Sequence, residues 1–445
     1  MHLNHSIVMF IVYVKTAVSV GLCVWVAILL WQRLAITNYL QNHHQKPWIA
    51  GFYIVFRLLP IVLTYFVLGY KPTSDVEYYY YPIANSARQF QVVHRDVYSC
   101  YSPFFGYWLS LPLHIWNDMR AIVVAMTGIE ALAVYITYRI YRGTENNGQR
   151  LFRALFYFSL PVPFVMCVFS GQEDVALWLF ALWALWVWQK ANSPFWGGVL
   201  LALGLLSTKA VFIFLLVPIF LMTPHRQKLA LVGGMAILGL PVMAFLYWKT
   251  GTLFIEQQIN EGDYLKAPNW RSLLNPLIGG LIPQSGGIMK WITLGITIVI
   301  LSLTGLRAYG KRLVDSLPMI FMIAFGSMTI LQQNAVSNYA YLFMLPLVFL
   351  VTDFKNRATT VLLIVFNALA AIHPSFWWRI GQPYYKGFDM FSRLDYALEY
   401  GMEIVLIAGF IYYALQGTQL IDGIPLSPEG AIRNRSFKSR FFGIK

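Results

Sequence analysis

The chain has 445 residues, of which 58% are hydrophobic and 12% charged. An average soluble domain carries about a quarter charged residues, and repeated apolar runs of roughly 17–25 residues read as membrane-spanning helices, so the composition excludes a soluble globular protein. The net charge of +14 reads as membrane topology rather than nucleic-acid binding, because the basic residues gather in one set of loops.

Hydropathy predicts about thirteen spanning segments, near 7–30, 49–70, 121–138, 154–170, 175–189, 195–207, 210–222, 229–248, 290–306, 315–331, 339–352, 357–373 and 401–416. The first run is too long for the apolar core of a cleavable signal, about 7–15 residues. The sixth and seventh are short and flank Ser207-Thr208-Lys209, which suits either an interrupted hairpin or one long tilted helix. The expected fold is all-α: a polytopic helix bundle forming one membrane domain over 1–416, with short amphipathic helices in its outer loops. A basic cytoplasmic tail follows at 417–445. Cys23, Cys100 and Cys167 have unrelated spacings and give neither a metal pattern nor a disulfide framework.

About 19 of the 33 Lys and Arg residues fall in the shorter loops and the tail, which the positive-inside rule assigns to the cytoplasm. The other side carries three sizeable loops, near 71–120, 249–289 and 374–400, and two short turns at 171–174 and 332–338. About 12 of the 19 acids lie there.

The first outer loop opens with Asp75 and Glu77. Residues two apart point the same way in an extended chain but diverge by about 200° in a helix. The pair can therefore hold one cation, or split base and orienting roles, only if the backbone is loop-like; Pro72 favours a loop. The alternative is a solvated pair on a short helix capped by Thr73 or Ser74. Tyr78 to Tyr81 suit an interfacial aromatic belt or a sugar-stacking surface. His94, Arg95 and Asp96 follow, then Tyr98 and Tyr101, leading into Phe104–Leu113, which is too short to span and reads as re-entrant or interfacial.

A second acidic pair, Glu173 and Asp174, follows Ser170-Gly171-Gln172; acids in a first helical turn are also stabilised by the helix dipole. Lys209 lies between two short apolar segments. An intramembrane lysine marks function by default, here as a point charge for a lipid-borne phosphate, unless it snorkels to the interface. Arg57 and Glu130 sit mid-segment and are expected to pair with each other or to line a cavity, with structural pairing preferred, and Lys15 is read as structural. The loop 249–289 adds Asp263, Trp270 and Arg271, a mixture of polar groups and an aromatic platform that suits a saccharide.

The ordered stretches SDVEYYYYPIA, HRDVYSCYSPFFGYW, SGQEDVALWLFALWAL and GGVLLALGLLSTKAVFIFLLVP resemble the GT-C superfamily of integral-membrane glycosyltransferases, in its mannosyltransferase-like branch that uses polyprenyl-phosphate sugars. The resemblance covers roughly residues 50–350 and rests on motif order and topology. Tyr101-Ser102-Pro103 matches the family's Tyr-rich turn, Gly171, Gln172 and Asp174 its Gly-Gln-x-Asp motif, and Thr208-Lys209 its Thr-Lys motif.

The resemblance implies inverting transfer of mannose, or a similar hexose or pentose, from a polyprenyl-phosphate sugar donor to a glycan, lipid or protein acceptor. Asp75 is then the expected base and Glu77 its orienting partner. Lys209, Arg95, His94 and Arg271 are expected to meet the donor phosphate. Tyr78, Asp96, Tyr98, Tyr101, Gln172, Glu173, Asp174, Asp263 and Trp270 are expected to bind substrate. No cofactor is required; Mg2+ or Mn2+ held by Asp75 and Glu77 is the metal alternative, weakened because Glu77 stands where Asp-x-Asp members have Asp. The expected partners are the sugar donor, the acceptor and membrane lipids, not nucleic acid. The expected location is a bacterial inner membrane with the site facing the periplasm or outside, the endoplasmic reticulum being the alternative. Three competing readings are a transporter or flippase, an O-antigen-type polymerase of lipid-linked saccharides, and an inactive assembly subunit.

Overall fold

A computed structural model describes residues 5–143, 145–281 and 287–427. Among the described residues it is helical throughout, with no strand beyond two isolated bridges, Val93 to Val97 and Lys311 to Leu426. Apolar side chains facing lipid leave a backbone only its own groups to bond, and the helix satisfies them internally.

Among the described residues, eight helices are long and apolar enough to cross a membrane. They are α1 (His5–Trp31), α3 (Gln45–Val67), α6 (Met119–Ile140), α12 (His225–Thr250), α15 (Gly287–Arg307), α16 (Leu313–Leu331), α18 (Arg357–Arg379) and α19 (Leu394–Gly423). Between α1 and α3 lies the short α2 (Arg33–Gln41). α7 (Asn147–Ser159) and α8 (Pro161–Phe169) form a ninth crossing if their 60° bend at Leu160 is counted as one span. Four shorter apolar helices complete the bundle: α9 (Val175–Ala191), α10 (Pro194–Ser207), α11 (Ala210–Met222) and α17 (Ser337–Val351). Every one of the thirteen expected segments is therefore helical, but only eight meet the length of a full crossing.

The break at Thr208 resolves as a hairpin. The start of α10 packs on α12, where a Cβ on Gly234 would stand 1.9 Å from the Phe195 carbonyl, and a Cβ on Gly198 would stand 2.1 Å from that of Leu231. Only glycine lets the two backbones meet this closely. α11 returns along α15, with Pro218 against Gly305. α16 is buried along most of its length, while α1, α12 and α15 expose most of theirs, the distribution expected of a central helix and a lipid-facing rim. Inside the bundle, Arg57 and Glu130 form the expected pair: Arg57 Nη2 donates to Oε1 at 2.9 Å, and Tyr341 also donates to Oε1, at 3.1 Å.

Loops 71–118, 170–174, 207–209, 251–281, 332–338 and 380–393 meet at one end. Three short helices lie there: α4 (Tyr81–Arg88), α5 (Phe105–Ile115) and α13 (Leu253–Glu261), with α14 (Trp270–Leu274) beside them. α5 packs on α4, burying Phe105, Leu109 and Leu113 and exposing Leu111 and Ile115. The opposite end gathers Arg139, Arg142, Arg226, Lys228, Arg307 and Lys311. The tail starts later than 417, because α19 runs to Gly423; Arg433, Arg435, Lys438, Arg440 and Lys445 lie outside the described residues.

Candidate functional site

Ser170–Asp174 forms the turn between α8 and α9. Gly171 holds φ at +56°, and a Cβ there would stand 2.7 Å from Val76 Cγ2. The turn thus lies against the segment that begins at Asp75. Gln172 reaches across, and its Nε2 donates to Asp75 Oδ2 at 2.8 Å.

Next to it stands a buried ion cluster. Lys209 Nζ donates to Asp174 Oδ1 at 2.7 Å and lies 2.7 Å from Glu173 Oε1, an ion pair without hydrogen-bond alignment. Tyr80 donates to the other oxygen of Glu173, and its hydroxyl stands 3.4 Å from Gln172 Oε1. Tyr101 packs edge-on against Tyr80 and stacks on Phe105. The loop carrying Tyr101 is pinned to the α10–α11 break: Ser102 N–H donates to the Thr208 carbonyl, Phe104 N–H to Leu206 and Trp108 Nε1–H to Ser207. Four segments distant in sequence, at 75–80, 101–108, 170–174 and 206–209, therefore meet in one place.

The electrostatics follow from burial. Both acids are fully buried, and burial raises their pKa values, opposed by Lys209. Burial alone would lower Lys209, but Asp174 and Glu173 outweigh it and hold the ammonium well above the usual lysine range. Burial also pushes the Cys100 thiol up to about 12, which leaves it unreactive.

Asp75 and Glu77 do not converge. A helical conformation starts at Asp75, with φ −59° and ψ −31°, and continues as a wide turn over Val76–Tyr80 with no side-chain cap. Residues two apart on such a turn face opposite ways, so the loop-like backbone that a shared cation would need is absent. Tyr78 is exposed beside Glu77. Arg95 and Asp96 pair with each other at the surface at 2.8 Å. His94 is buried and bonds Gln257 Oε1 at 3.0 Å, tying its loop to α13, and Tyr98 donates to the Gln257 carbonyl. Asp263 pairs with Lys290 at 2.6 Å, and Trp270 Nε1–H donates to the Leu331 carbonyl. Arg271 is buried and donates to Gln333. These residues make their contacts with one another and with neighbouring loops, not with Asp75. Lys209, expected to meet a phosphate, is already committed to two carboxylates, because desolvation makes an unpaired buried ammonium costly.

Sequence reasoning missed several groups. Lys15 Nζ donates to Ser170 Oγ at 3.3 Å and lies within electrostatic reach of Asp75; the signal was a lysine inside an apolar run. Lys266 pairs with Glu261 at 2.8 Å, stays about a third exposed, and acts electrostatically on Asp75 and Tyr339. The Tyr339 ring lies 5.5 Å from Lys209 Nζ. His373, Glu399 and Glu403 form a separate buried cluster. Two surface cavities, of about 290 and about 130 Å3, lie at the opposite end, beside Tyr39, Trp48 and Phe52 and beside Arg33, Glu145 and Lys355.

No protein-family model and no curated protein sequence matches this chain.

Proposed function

We propose that this protein is a membrane glycosyltransferase of GT-C type, moving a sugar from a polyprenyl-phosphate donor to a hydroxyl acceptor with inversion. The observation that carries this reading is the convergence of Asp75, Gln172 and the Lys209–Glu173–Asp174 cluster at one end of a lipid-embedded bundle. Asp75 is half-buried, and Gln172 takes only its Oδ2. Oδ1 is the oxygen offered to the acceptor hydroxyl, within hydrogen-bond reach of the proton it would take.

Gln172 fixes the carboxylate, and the ion cluster fixes Gln172's turn. The leaving lipid phosphate is assigned to Lys266 and Lys15, the cations that act on Asp75, with Lys209 as a positioning group. Tyr78 and Tyr79 flank the approach as stacking surfaces. We further propose that the thirteen helical segments alternate across the membrane. This puts the site end outside, in the periplasm of a bacterial inner membrane, and the basic end in the cytoplasm.

The test is transfer from labelled polyprenyl-phosphate sugars by the purified protein. Removing a general base costs typically 10²–10⁴-fold, so Asp75→Asn is expected to lose activity within about that range while Glu77→Gln keeps most of it. Asp75→Asn turning over like the unsubstituted protein rejects the assignment. No transfer by the unsubstituted protein from any such donor rejects the reading itself.

A further inference from the structure

A second buried polar cluster stands apart from Asp75, between the ends of α18 and α19. Glu399 and Glu403 are four residues apart and so share one face of α19. His373 faces them from α18. All three are fully buried, and one donor atom from each lies within 4.8 Å of the others. His373 Nε2 is 3.0 Å from Glu399 Oε1, and Ser337 Oγ is 3.1 Å from His373 Nδ1. Tyr385 donates to Glu399 Oε2 at 2.8 Å, and Ser272 donates to Glu403 Oε2 at 2.6 Å. The outer oxygen of each carboxylate is thus fixed by a hydroxyl.

Glu403 Oε1 is different: it is buried and has no hydrogen-bond partner. Two carboxylates in a dry site need a countercharge. An uncommitted carboxylate oxygen, a second carboxylate oxygen and an imidazole nitrogen held by an outer hydroxyl make up a metal-ligand set. One nitrogen with two oxygens suits a borderline divalent transition ion better than Mg2+ or Ca2+, which prefer oxygen alone.

We infer that His373 Nε2, Glu399 and Glu403 bind a divalent transition-metal ion, Zn2+ foremost, independently of the chemistry at Asp75. The ion neutralises both carboxylates and clamps α18 and α19 to the segments carrying Ser272 and Ser337. The clamp is structural, since none of the three ligands is open to solvent.

The experiment uses the full chain, purified in detergent with its affinity tag removed so that no engineered histidines bind metal. Elemental analysis is expected to find about one equivalent of Zn2+ per chain, and a membrane-permeant chelator is expected to lower the unfolding temperature, with Zn2+ restoring it. Glu403→Gln is expected to lose the metal and the chelator response together. Tyr385→Phe, which removes an outer-shell hydroxyl, is expected to weaken Zn2+ about 10-fold. Should Glu403→Gln fail to fold, the unsubstituted protein's metal content and chelator response decide alone. Absence of stoichiometric divalent metal, with no thermal response to added Zn2+ or Mn2+, overturns the inference; so does full metal retention by Glu403→Gln.

Discussion

Lys209 shows how a single side chain takes its role from its neighbours. Its ammonium serves two buried carboxylates, Glu173 and Asp174, and removing it leaves both uncompensated. Breaking a buried pair this way costs about 3–5 kcal/mol. Lys209→Met is therefore expected to lose about that much stability by denaturant unfolding in detergent. Adding Glu173→Gln is expected to recover part of it, since one charge fewer is stranded. Equal stability of the single and double variants would show that the charges do not interact. His94 carries a pH signature. Burial, opposed by hydrogen bonds with Gln257 and Ser99, holds its pKa below the ordinary 6.5. A depressed folded value means that its stabilising contribution is complete above about 6.5 and is lost as pH falls through the folded value. Hydrogen exchange, corrected for intrinsic rate, is expected to rise in residues 92–102 and 253–261 between pH 7.5 and 5. His94→Gln should remove most of that pH dependence; pH-independent protection in the unsubstituted protein would discard the proposal.

At the scale of elements, the site is built where helices stop. α8 ends at Phe169, just before Gly171, α10 ends at Ser207, and the wide turn at Val76–Tyr80 starts directly after Asp75. Interrupted backbone at membrane depth is tolerated where protein buries it, and the breaks here present polar side chains to one another: Asp75 from one, Gln172, Glu173 and Asp174 from another, and Lys209 from the third. Gly171 is the tightest of these constraints, because its φ of +56° disfavours any side chain and Val76 Cγ2 fills the space a Cβ would take. The left-handed conformation alone costs roughly 1–2 kcal/mol. Gly171→Ala is expected to lose at least that much in denaturant unfolding. Val76→Ala in the same chain is expected to restore the steric part and leave the conformational part. An unchanged midpoint for Gly171→Ala would mean that the turn is not held as described.

At the scale of the molecule, polarity separates along the bundle. Asp75, Glu173, Asp174, Glu261 and Asp263 gather at one end, and Arg139, Arg142, Arg226, Lys228 and Arg307 at the other. By the positive-inside rule, the proposed orientation puts the basic end in the cytoplasm. With Cys23, Cys100 and Cys167 replaced by serine or alanine, a cysteine at Lys386 is expected to react with a membrane-impermeant maleimide in intact cells. A cysteine at Lys228 is expected to react only after permeabilisation. The reverse pattern would invert the proposed orientation and move the site to the cytoplasmic face.

The helices were legible in the sequence because lipid imposes a length and a polarity that any window of residues reveals. So were the Arg57–Glu130 pair and the loops that hold Asp75, Gln172, Asp174 and Lys209, since a charge inside an apolar run is conspicuous without coordinates. Partnership was another matter. Spacing along the chain could not show that the backbone turns helical at Asp75 and parts it from Glu77, that Arg95 spends its charge on Asp96, or that Lys209 is neutralised by the acids of another turn. Nor could it bring His373 on one helix to Glu399 and Glu403 on the next, 26 residues or more away. Hydropathy is a sum over neighbours in sequence, so the sequence alone determines which segments are apolar helices. Electrostatic partnership depends on which helix ends meet in space, and only the packing of the bundle decides that.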